Sequence, residues 1–287
     1  MSVGIRPQNL DGIPPEAESV LNQIEKRKSI YRRKMIIAFI VLGCLMAASL
    51  VLIKLDFKFM LKWLPFVLAG SGVTFLVAFL AIALACVLAV MGALGRMSKN
   101  PVFNSIATSY VSLIRGTPLL VQVYMWYLAL PQVGKALENL GIQGIQAWFT
   151  LPAIPAGILA LGVCYGAYMT ETVRAGIQSI KIGQTEAAKA LGMTETQNMK
   201  RIIFPQALRV IIPPVSNEFI AMIKDSSLVS LMGVWELSYR AIKVGRRHFQ
   251  SLEMLIMVAL IYWAMCILLQ YAQEKLEKHM SRGDRRI

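Results

Sequence analysis

Ionisable side chains stand within one apolar stretch of this chain, and they are the residues best suited to handle a charged solute. Glu218, with Asn217 beside it, lies nine residues beyond Arg209, which is roughly 13 Å along a helix. Lys224 and Asp225 follow within two further turns. Because a charge at that depth in a bilayer is costly, an ionisable residue there marks a candidate site for a solute or ion. The alternative is that Glu218 only pairs with a basic residue and fixes helix packing.

Prolines interrupt two apolar stretches close to polar residues. Pro213 and Pro214 remove backbone donors in mid-helix, which is tolerated at membrane depth where the backbone is buried in protein or lines a wet cavity. At the start of another stretch, Arg115 and Thr117 precede Pro118. Since proline suits a first helical turn, we expect a helix to begin here, with Arg115 near the inner membrane surface. For Arg115 the simpler alternative is an arginine that anchors the helix end.

The sequence carries none of the common catalytic or nucleotide-binding patterns. It has no G-x-x-x-x-G-K-[ST] phosphate loop, no H-E-x-x-H motif and no G-x-S-x-G motif. Its two histidines, His248 and His279, are far apart in the chain. The four cysteines fall in apolar segments and are expected to be small buried hydrophobic residues: Cys44, Cys86, Cys164 and Cys266. We therefore expect a conduit without a catalytic site, a metal site or a cofactor bound by this chain.

A polar, helix-prone insert at 184–205 separates two long apolar segments. Thr185 is suited to cap a helix at 186–191, and Gly192 can adopt the left-handed backbone that ends it. Thr194 and Gln197 have the spacing of a capping box, so a second helix is expected to begin there. We expect it to run to Pro205 and to kink or break at that proline. Two short helices joined at a glycine form a rigid elbow; the alternative is an ordinary solvated loop.

The composition is that of a membrane protein with several spans. Of 287 residues, 56% are hydrophobic and only 16% are charged, and the mean hydropathy is +0.56. Six segments approach the ~20 residues needed to cross a bilayer. They run over 35–53, 66–94, 117 to about 133, 151–170, about 206–223, and 254–272. Small residues near the start of the second segment predict close packing against a neighbouring helix: Gly70, Ser71, Gly72 and Thr74.

The distribution of lysine and arginine predicts an orientation. If both termini are cytoplasmic, most of the 30 basic residues fall on the inner side, and the elbow is cytoplasmic. The segment from Arg240 to Arg247 is basic although it falls outside, which indicates either a partner on the outer surface, which we favour, or a topology error nearby. The net charge of +14 fits anionic lipid as a partner, and nucleic acid is not needed to explain it.

Several motifs occur together in a fixed order along the chain. The insert reads E-A-A-x-x-x-G and, after nine residues, I-I-F-P, and it runs from Glu186 to Pro205. The others are R-G-T-P-L-L from Arg115, Glu171 with Arg174, Gly183-Gln184, Pro205-Gln206, and K-D-S-S-L from Lys224. Over about 66–272 the chain thereby resembles the permease subunits of bacterial ABC importers for polar amino acids, the histidine/glutamine/arginine permease class. In that family the insert is the EAA loop, E-A-A-x-x-x-G-x9-I-x-L-P, with Phe204 here in place of the usual leucine.

The resemblance implies an all-α type I ABC importer domain at 66–272, with a five-helix core and the EAA coupling loop at 183–205. Outside it we expect a cytoplasmic tail at 1–34, an additional N-terminal transmembrane helix with an outer loop at 35–65, and a basic cytoplasmic tail at 273–287. The whole chain would then have six transmembrane helices. Residues 1–65 would either stabilise the periphery of the bundle or bind the partner permease.

The resemblance also implies a function and partners. The chain would be the permease subunit of an ATP-driven amino-acid importer in the bacterial inner membrane, and it would not itself be an enzyme. Its EAA loop would dock on a separate cytoplasmic ABC ATPase that holds ATP and Mg²⁺. A second permease subunit, identical or homologous, and an extracytoplasmic amino-acid-binding protein would complete the complex. Alternative classes are an ion-coupled secondary amino-acid transporter and a membrane-anchored scaffold.

Residue roles follow from the same resemblance. In the coupling loop, Glu186 and Lys189 would make polar contacts, Ala187 and Ala188 would permit close approach, and Gly192 would permit the turn, with Pro205 closing the motif. The candidate residues of a substrate path or gate are Arg115, Thr117, Asn217, Glu218, Lys224, Asp225 and Ser226. Glu218 would contact a cationic or amino group, and Lys224 or Arg115 a carboxylate.

Overall fold

The computed structural model describes residues 26–41, 43–44 and 54–280, with side chains through Lys278. The chain divides into two units, Met1–Asp56 and Phe57–Ile287. In the first unit the described part is helix α1 at 26–41, whose sequence changes from basic to apolar, together with helical residues 43–44 and residues 54–56. About half of the predicted transmembrane segment at 35–53 lies outside the described residues.

The second unit is helical, and its described residues contain no strand. Its α-helices are α2 (Phe57–Leu68), α3 (Ser71–Met97), α4 (Pro101–Arg115), α5 (Leu119–Asn139), α6 (Ile145–Phe149), α7 (Ala153–Gln178), α8 (Ile182–Ala190), α9 (Glu195–Asn198), α10 (Phe204–Asp225), α11 (Leu237–His248) and α12 (Ser251–Met280). A π-helix at Met199–Ile203 precedes α10, and a 3₁₀-helix at Ser226–Met232 follows it.

Among the described helices, three are long and apolar enough to cross a membrane: α3, α7 and α12. They cover three of the six predicted segments. Helices α5 and α10 cover two more and contain 21 and 22 residues, but they do not meet the same requirement for apolar composition. An all-α architecture is thus confirmed for the described residues, while the number of spanning helices stays a prediction.

Helices α3 and α7 run parallel and form the closest pair in the bundle. Gly162, Gly166 and Gly92 are so close to the neighbouring helix that a Cβ atom would meet Leu84, Leu88 and Thr170 within 3 Å. The buried face of α3 is lined by small residues at helical spacing: Ala78, Ala81, Ala85, Ala89 and Ala93. Because lipid gives helices little hydrophobic reason to associate, such close backbone approach is what holds membrane helices together.

Helix α4 was not predicted, and it changes the position of Arg115. Its residue Ala107 contacts Gly95 near the end of α3, and the hydroxyl of Tyr110 donates a 2.6 Å hydrogen bond to the carbonyl of Val163. At the end of α4, Ile114 packs against Cys164, close to the middle of α7. Helix α4 therefore rises from one end of the bundle to mid-height. This unpredicted helix carries Arg115 to the middle of α7, while its expected place near the inner surface of the membrane stays a prediction.

Helix α10 returns antiparallel to α7. Ile211 packs on Gly176 near one end of α7, and the last residue of α10, Asp225, meets Tyr165 at its middle. The 3₁₀-helix then continues toward the opposite end of α7, where Val229 contacts Gly157. Asp225 thus lies at mid-height of the bundle.

The small residues at the start of α3 differ in how closely they pack against other parts of the chain. A Cβ on Gly70 would lie 2.7 Å from the backbone nitrogen of Leu237, whereas a Cβ on Gly72 would meet nothing within 4 Å. Thr74 contacts the carboxylate of Glu236, a fully buried residue that caps α11 by accepting a 2.7 Å hydrogen bond from the backbone of Tyr239. Tyr262 of α12 donates a further 2.7 Å bond to Glu236. Close packing is confirmed for Gly70 but not for Gly72.

The basic segment in α11 packs against aromatic rings. The guanidinium of Arg240 lies over the ring of Phe66 and donates to the backbone carbonyls of Phe66 and Trp235. The ammonium of Lys243 is 3.9 Å from the centre of the Trp235 ring. Arg246 and Arg247 stand in the last helical turn, where the helix dipole favours cations. These contacts give the segment a structural reason to be basic that needs no partner.

Candidate functional site

A polar cluster lies at mid-height of the bundle, where α7, α10 and the end of α4 meet. Its centre is the 2.7 Å hydrogen bond from the hydroxyl of Tyr165 to Asp225 Oδ2. Tyr165 is 2% exposed, while Asp225 is partly accessible. Tyr168 stands edge-on to Tyr165 with 5.8 Å between the ring centres. Since Tyr165 is about 18 Å from either end of α7, this cluster is far from both ends of the helix.

Charges of opposite sign face this cluster. Arg115 interacts electrostatically with Glu218 and with Tyr168, and Glu218 in turn interacts with Asp225. Arg115 is exposed, whereas Glu218 and Asp225 are half-buried. A cation and two carboxylates near one another can bind a zwitterion at both of its charges.

The other predicted path residues have different surroundings. The Thr117 hydroxyl donates to the carbonyl of Leu113 at 3.0 Å. Asn217 accepts a 3.0 Å bond from Gln273 of α12, and Ser226 is buried with its hydroxyl 2.7 Å from the carbonyl of Ile223. Lys224 is exposed. The structure therefore groups Arg115, Glu218 and Asp225, and it uses Thr117, Asn217 and Ser226 in contacts between or within helices.

Sequence reasoning missed three residues of this region. Tyr165 and Tyr168 are three residues apart in an apolar helix, so their hydroxyl groups were the available signal. Gln122 is only 6% exposed, and it is the third. A glutamine inside an apolar stretch needs hydrogen-bond partners when it is buried, which was the signal that could have found it.

Gln122 bonds to the backbone at the break between α4 and α5. Its Nε2 lies 2.7 Å from the carbonyl oxygen of Ile114 and 2.9 Å from that of Thr117, and it is 2.7 Å from the Thr117 hydroxyl. Its Oε1 accepts a 2.8 Å hydrogen bond from the thiol of Cys164 on α7. One side chain thus joins the α4–α5 break to the middle of α7.

The elbow, residues 182–203, consists of α8, α9 and the π-helix and follows α7 at one end of the bundle. Helix α8 begins at Ile182, so the expectation of a cap at Thr185 is wrong. Gly192 has φ of +73°, as predicted. Its N–H donates to the carbonyl of Lys189 and that of Met193 to the carbonyl of Ala188, a pattern that closes a helix at a left-handed residue. The predicted glycine turn is present.

The second half of the elbow begins as predicted and continues differently. Thr194 and Gln197 form both bonds of a capping box at the start of α9. The helix then widens into the π-helix, and Phe204 donates to the carbonyl of Met199, five residues back. Pro205 stands in the first turn of α10, which continues without interruption. A break at Pro205 is therefore wrong, because proline fits a first helical turn and the distortion precedes it.

Hydrogen bonds join the elbow to α10, and ion pairs join α7 to α3 at the same end of the bundle. Gln206 at the start of α10 donates to the carbonyl of Ile202 at 3.0 Å and to Gln184 of α8 at 3.4 Å. At the same end, Glu171 forms ion pairs with Arg96 of α3 and, at 2.8 Å, with Arg174 of its own helix.

The surface of the elbow is mixed in character. Glu186, Ala187 and Lys189 are exposed, and Leu191 is 80% exposed, whereas Ala188 is buried against the rest of the elbow. Ala188 therefore packs inside the elbow and does not face a partner in this conformation.

The described residues hold no group of three or more histidine, cysteine, aspartate or glutamate side chains that could bind a metal ion. The two features that stand out are the polar cluster at mid-height and the elbow at one end. The first can bind a solute by charge and hydrogen bonds. The second can receive a mechanical input.

Comparison with known proteins identifies similar chains. The family model for the inner membrane component of binding-protein-dependent transport systems matches residues 81–282. The chain is 38% identical over 227 residues to the probable amino-acid ABC transporter permease protein PatM of Vibrio harveyi, covering 78% of this chain and 97% of PatM. It is also 38% identical over 219 residues to the L-cystine transport system permease protein TcyB of Bacillus subtilis, covering 76% of this chain and 88% of TcyB. A crystal structure of an amino acid ABC transporter with histidines superimposes with a TM-score of 0.68 at 35% identity, covering 78% of this chain and 99% of that one.

Proposed function

Because the chain belongs to the family of inner membrane components of binding-protein-dependent transport systems, we propose that it is the permease subunit of an ATP-driven amino-acid importer. The observation that carries this proposal is the similarity to amino-acid permeases over most of the helical unit. The ion-coupled alternative has no support from these relatives.

The polar cluster at mid-height supports a role in the solute path. An amino acid carries an ammonium and a carboxylate, and Glu218 and Asp225 can meet the first while Arg115 can meet the second. We therefore place the path along α4, α7 and α10. Lys224, which is exposed one residue before Asp225, is a second cation for the carboxylate.

The elbow is proposed to couple transport to a separate cytoplasmic ABC ATPase, which would hold ATP and Mg²⁺. Glu186, Ala187 and Lys189 would contact that subunit, since they are exposed. Gly192 would hold the turn, Ala188 would pack inside the elbow, and Pro205 would begin the helix that carries the motion inward. Closure of the ATPase would then shift the populations of inward-facing and outward-facing states.

The complete importer would contain a second permease subunit, identical or homologous, and an extracytoplasmic amino-acid-binding protein. It would lie in the bacterial inner membrane in contact with lipid, with both termini and the elbow in the cytoplasm. The basic start of α1 supports this orientation, because lysine and arginine favour the cytoplasmic side.

Co-purification and uptake test this function together. The tagged permease, expressed with the genes beside its own, should co-purify with an ATPase subunit in defined stoichiometry. Proteoliposomes of the complex should accumulate labelled L-arginine, L-cystine or L-glutamine only with ATP and the binding protein. Uptake that follows an ion gradient and ignores ATP would instead identify a secondary transporter.

A further inference from the structure

We propose that Gln122 is a positioning residue of the solute path, which holds the break between α4 and α5 in the shape that directs Arg115 toward Glu218 and Tyr168. This inference rests on the proposed function, because it assumes that the cluster at mid-height binds the transported amino acid. Gln122 itself is 6% exposed and is not expected to touch the solute.

The break needs a hydrogen-bond donor from outside the backbone. In an α-helix the carbonyl of Ile114 would accept from the N–H four residues later, but that residue is Pro118, which has none. At membrane depth water is not freely available, so a carbonyl left without a donor is costly. The amide of Gln122 supplies the donor at 2.7 Å, and the helix can therefore end at Arg115 in the middle of the bundle.

The surroundings of the Gln122 amide determine its orientation. The carbonyl oxygens of Ile114 and Thr117 can only accept hydrogen bonds, so the group facing them must be the NH₂. The Oε1 then faces Cys164, whose thiol donates to it at 2.8 Å. Every polar atom of the side chain is thus used, and the α4–α5 break is tied to α7. No other residue type of similar size offers two donors and one acceptor in this arrangement.

Arg115 is the residue that depends on this arrangement. It is the last residue of α4 and adjoins Ile114, whose carbonyl Gln122 binds. If the Gln122 amide is lost, the break can relax, and Arg115 is no longer held where it interacts electrostatically with Glu218. A misplacement of about 1 Å is enough to weaken a charge-assisted contact with a solute.

A double-mutant cycle tests the inference in the assembled complex in lipid nanodiscs. The measurement is equilibrium binding, without the binding protein, of whichever of L-arginine, L-cystine and L-glutamine the wild type takes up. Gln122→Met keeps the volume and removes the donors, and we expect Kd to rise about tenfold. Arg115→Gln should weaken binding as well, and the double variant should bind within about twofold of Arg115→Gln alone. The matched control, Gln132→Met, changes an exposed glutamine of the same helix and should leave Kd unchanged.

Two results would overturn the inference: wild-type affinity in Gln122→Met, or fully additive losses in the double variant, which indicate a general structural defect. If Gln122→Met does not assemble, Pro118→Ala in the same chain supplies the missing N–H to Ile114. The chain with both Gln122→Met and Pro118→Ala should assemble again. Its binding of the amino acid should stay weak, because a continuous helix no longer directs Arg115 into the cluster. Recovery of binding along with assembly, or no recovery of assembly, would contradict the proposal. Absence of both binding and uptake in the wild type would instead overturn the proposed function.

Discussion

The hydroxyl of Tyr165 donates a 2.7 Å hydrogen bond to the carboxylate of Asp225 and thereby joins α7 to the end of α10 at mid-height. One partner is buried and the other is partly accessible, so the same bond serves helix packing and sets the position of a charge that faces the cluster. Helix α10 gives way to a 3₁₀-helix immediately after Asp225. The bond therefore stands where a change in the height of α10 would move a charge of the cluster.

Replacing Tyr165 with phenylalanine should separate these two effects. The ring still fills its buried site, but Asp225 loses a donor, and a hydrogen bond to a charged group is worth about 1.5–3 kcal/mol. We expect kcat/KM for uptake to fall about tenfold while the complex still assembles. Tyr271→Phe, on an exposed part of α12, is the matched control and should transport normally. Unchanged uptake in Tyr165→Phe would remove this bond from the mechanism.

Neutralising Glu218 should change which amino acids are taken up. Glu218→Gln keeps the shape and removes one of the two carboxylates of the cluster, the one that interacts with Arg115, so a cationic solute loses more than a neutral one. We expect the ratio of L-arginine to L-glutamine uptake to fall about tenfold. Glu138→Gln keeps an acceptor for its bond to Gly144 outside the cluster and should leave the ratio as it is. Equal losses for both amino acids would show that Glu218 acts in helix packing alone.

A bulky residue at Gly192 should weaken the contact of the elbow with the ATPase, and it should do so without a steric clash. A Cβ there meets nothing within 4 Å, so the effect of Gly192→Val comes from the left-handed backbone, which costs a residue with a Cβ about 1–2 kcal/mol. We expect both ATPase co-purification and uptake to drop at least about tenfold. Gly144→Val has the same open space and φ of +77° outside the elbow, so it should keep the ATPase bound. Loss of the ATPase in both variants would trace the effect to general instability.

Adding one methyl group at Gly92 should weaken the pairing of α3 with α7. A Cβ would lie 2.3 Å from the hydroxyl oxygen of Thr170, and overpacking of this kind costs about 1–3 kcal/mol. Gly72→Ala, on the same helix but in open space, should be neutral in a denaturant titration of the purified protein. Thr170→Ala combined with Gly92→Ala should recover part of the loss. If the double variant is as unstable as Gly92→Ala alone, this contact is not the cause.

Much of the elbow was predictable because its signals are local. A capping box needs two residues at fixed spacing, and a left-handed turn needs a glycine, so Thr194, Gln197 and Gly192 were found from the sequence. The cap at Thr185 and the break at Pro205 were wrong. In both cases the helix extends further than its local signal, since α8 already begins at Ile182 and Pro205 fits the first turn of α10.

The polar cluster was predictable only in part. Glu218, Asp225 and Arg115 stood out as charges in or near apolar segments, but their mutual approach depends on where α4 and α10 end beside the middle of α7. Tyr165 and Gln122 bear no charge, and they were missed for that reason. Tyr165 bonds to Asp225, 60 residues away, and Gln122 bonds to Cys164, 42 residues away, as well as to the nearby carbonyls of Ile114 and Thr117.

By itself, the amino-acid sequence determined the membrane class, the long apolar helices, the elbow and the family. These follow from composition, from the length of apolar segments and from short motifs, which act over a few neighbouring residues. The tertiary structure decided the height of Arg115, the bond between Tyr165 and Asp225, and the use of Gln122 to complete a broken helix. Those features arise when distant segments pack together, because a buried polar atom must find its partner wherever the fold brings one within about 3 Å.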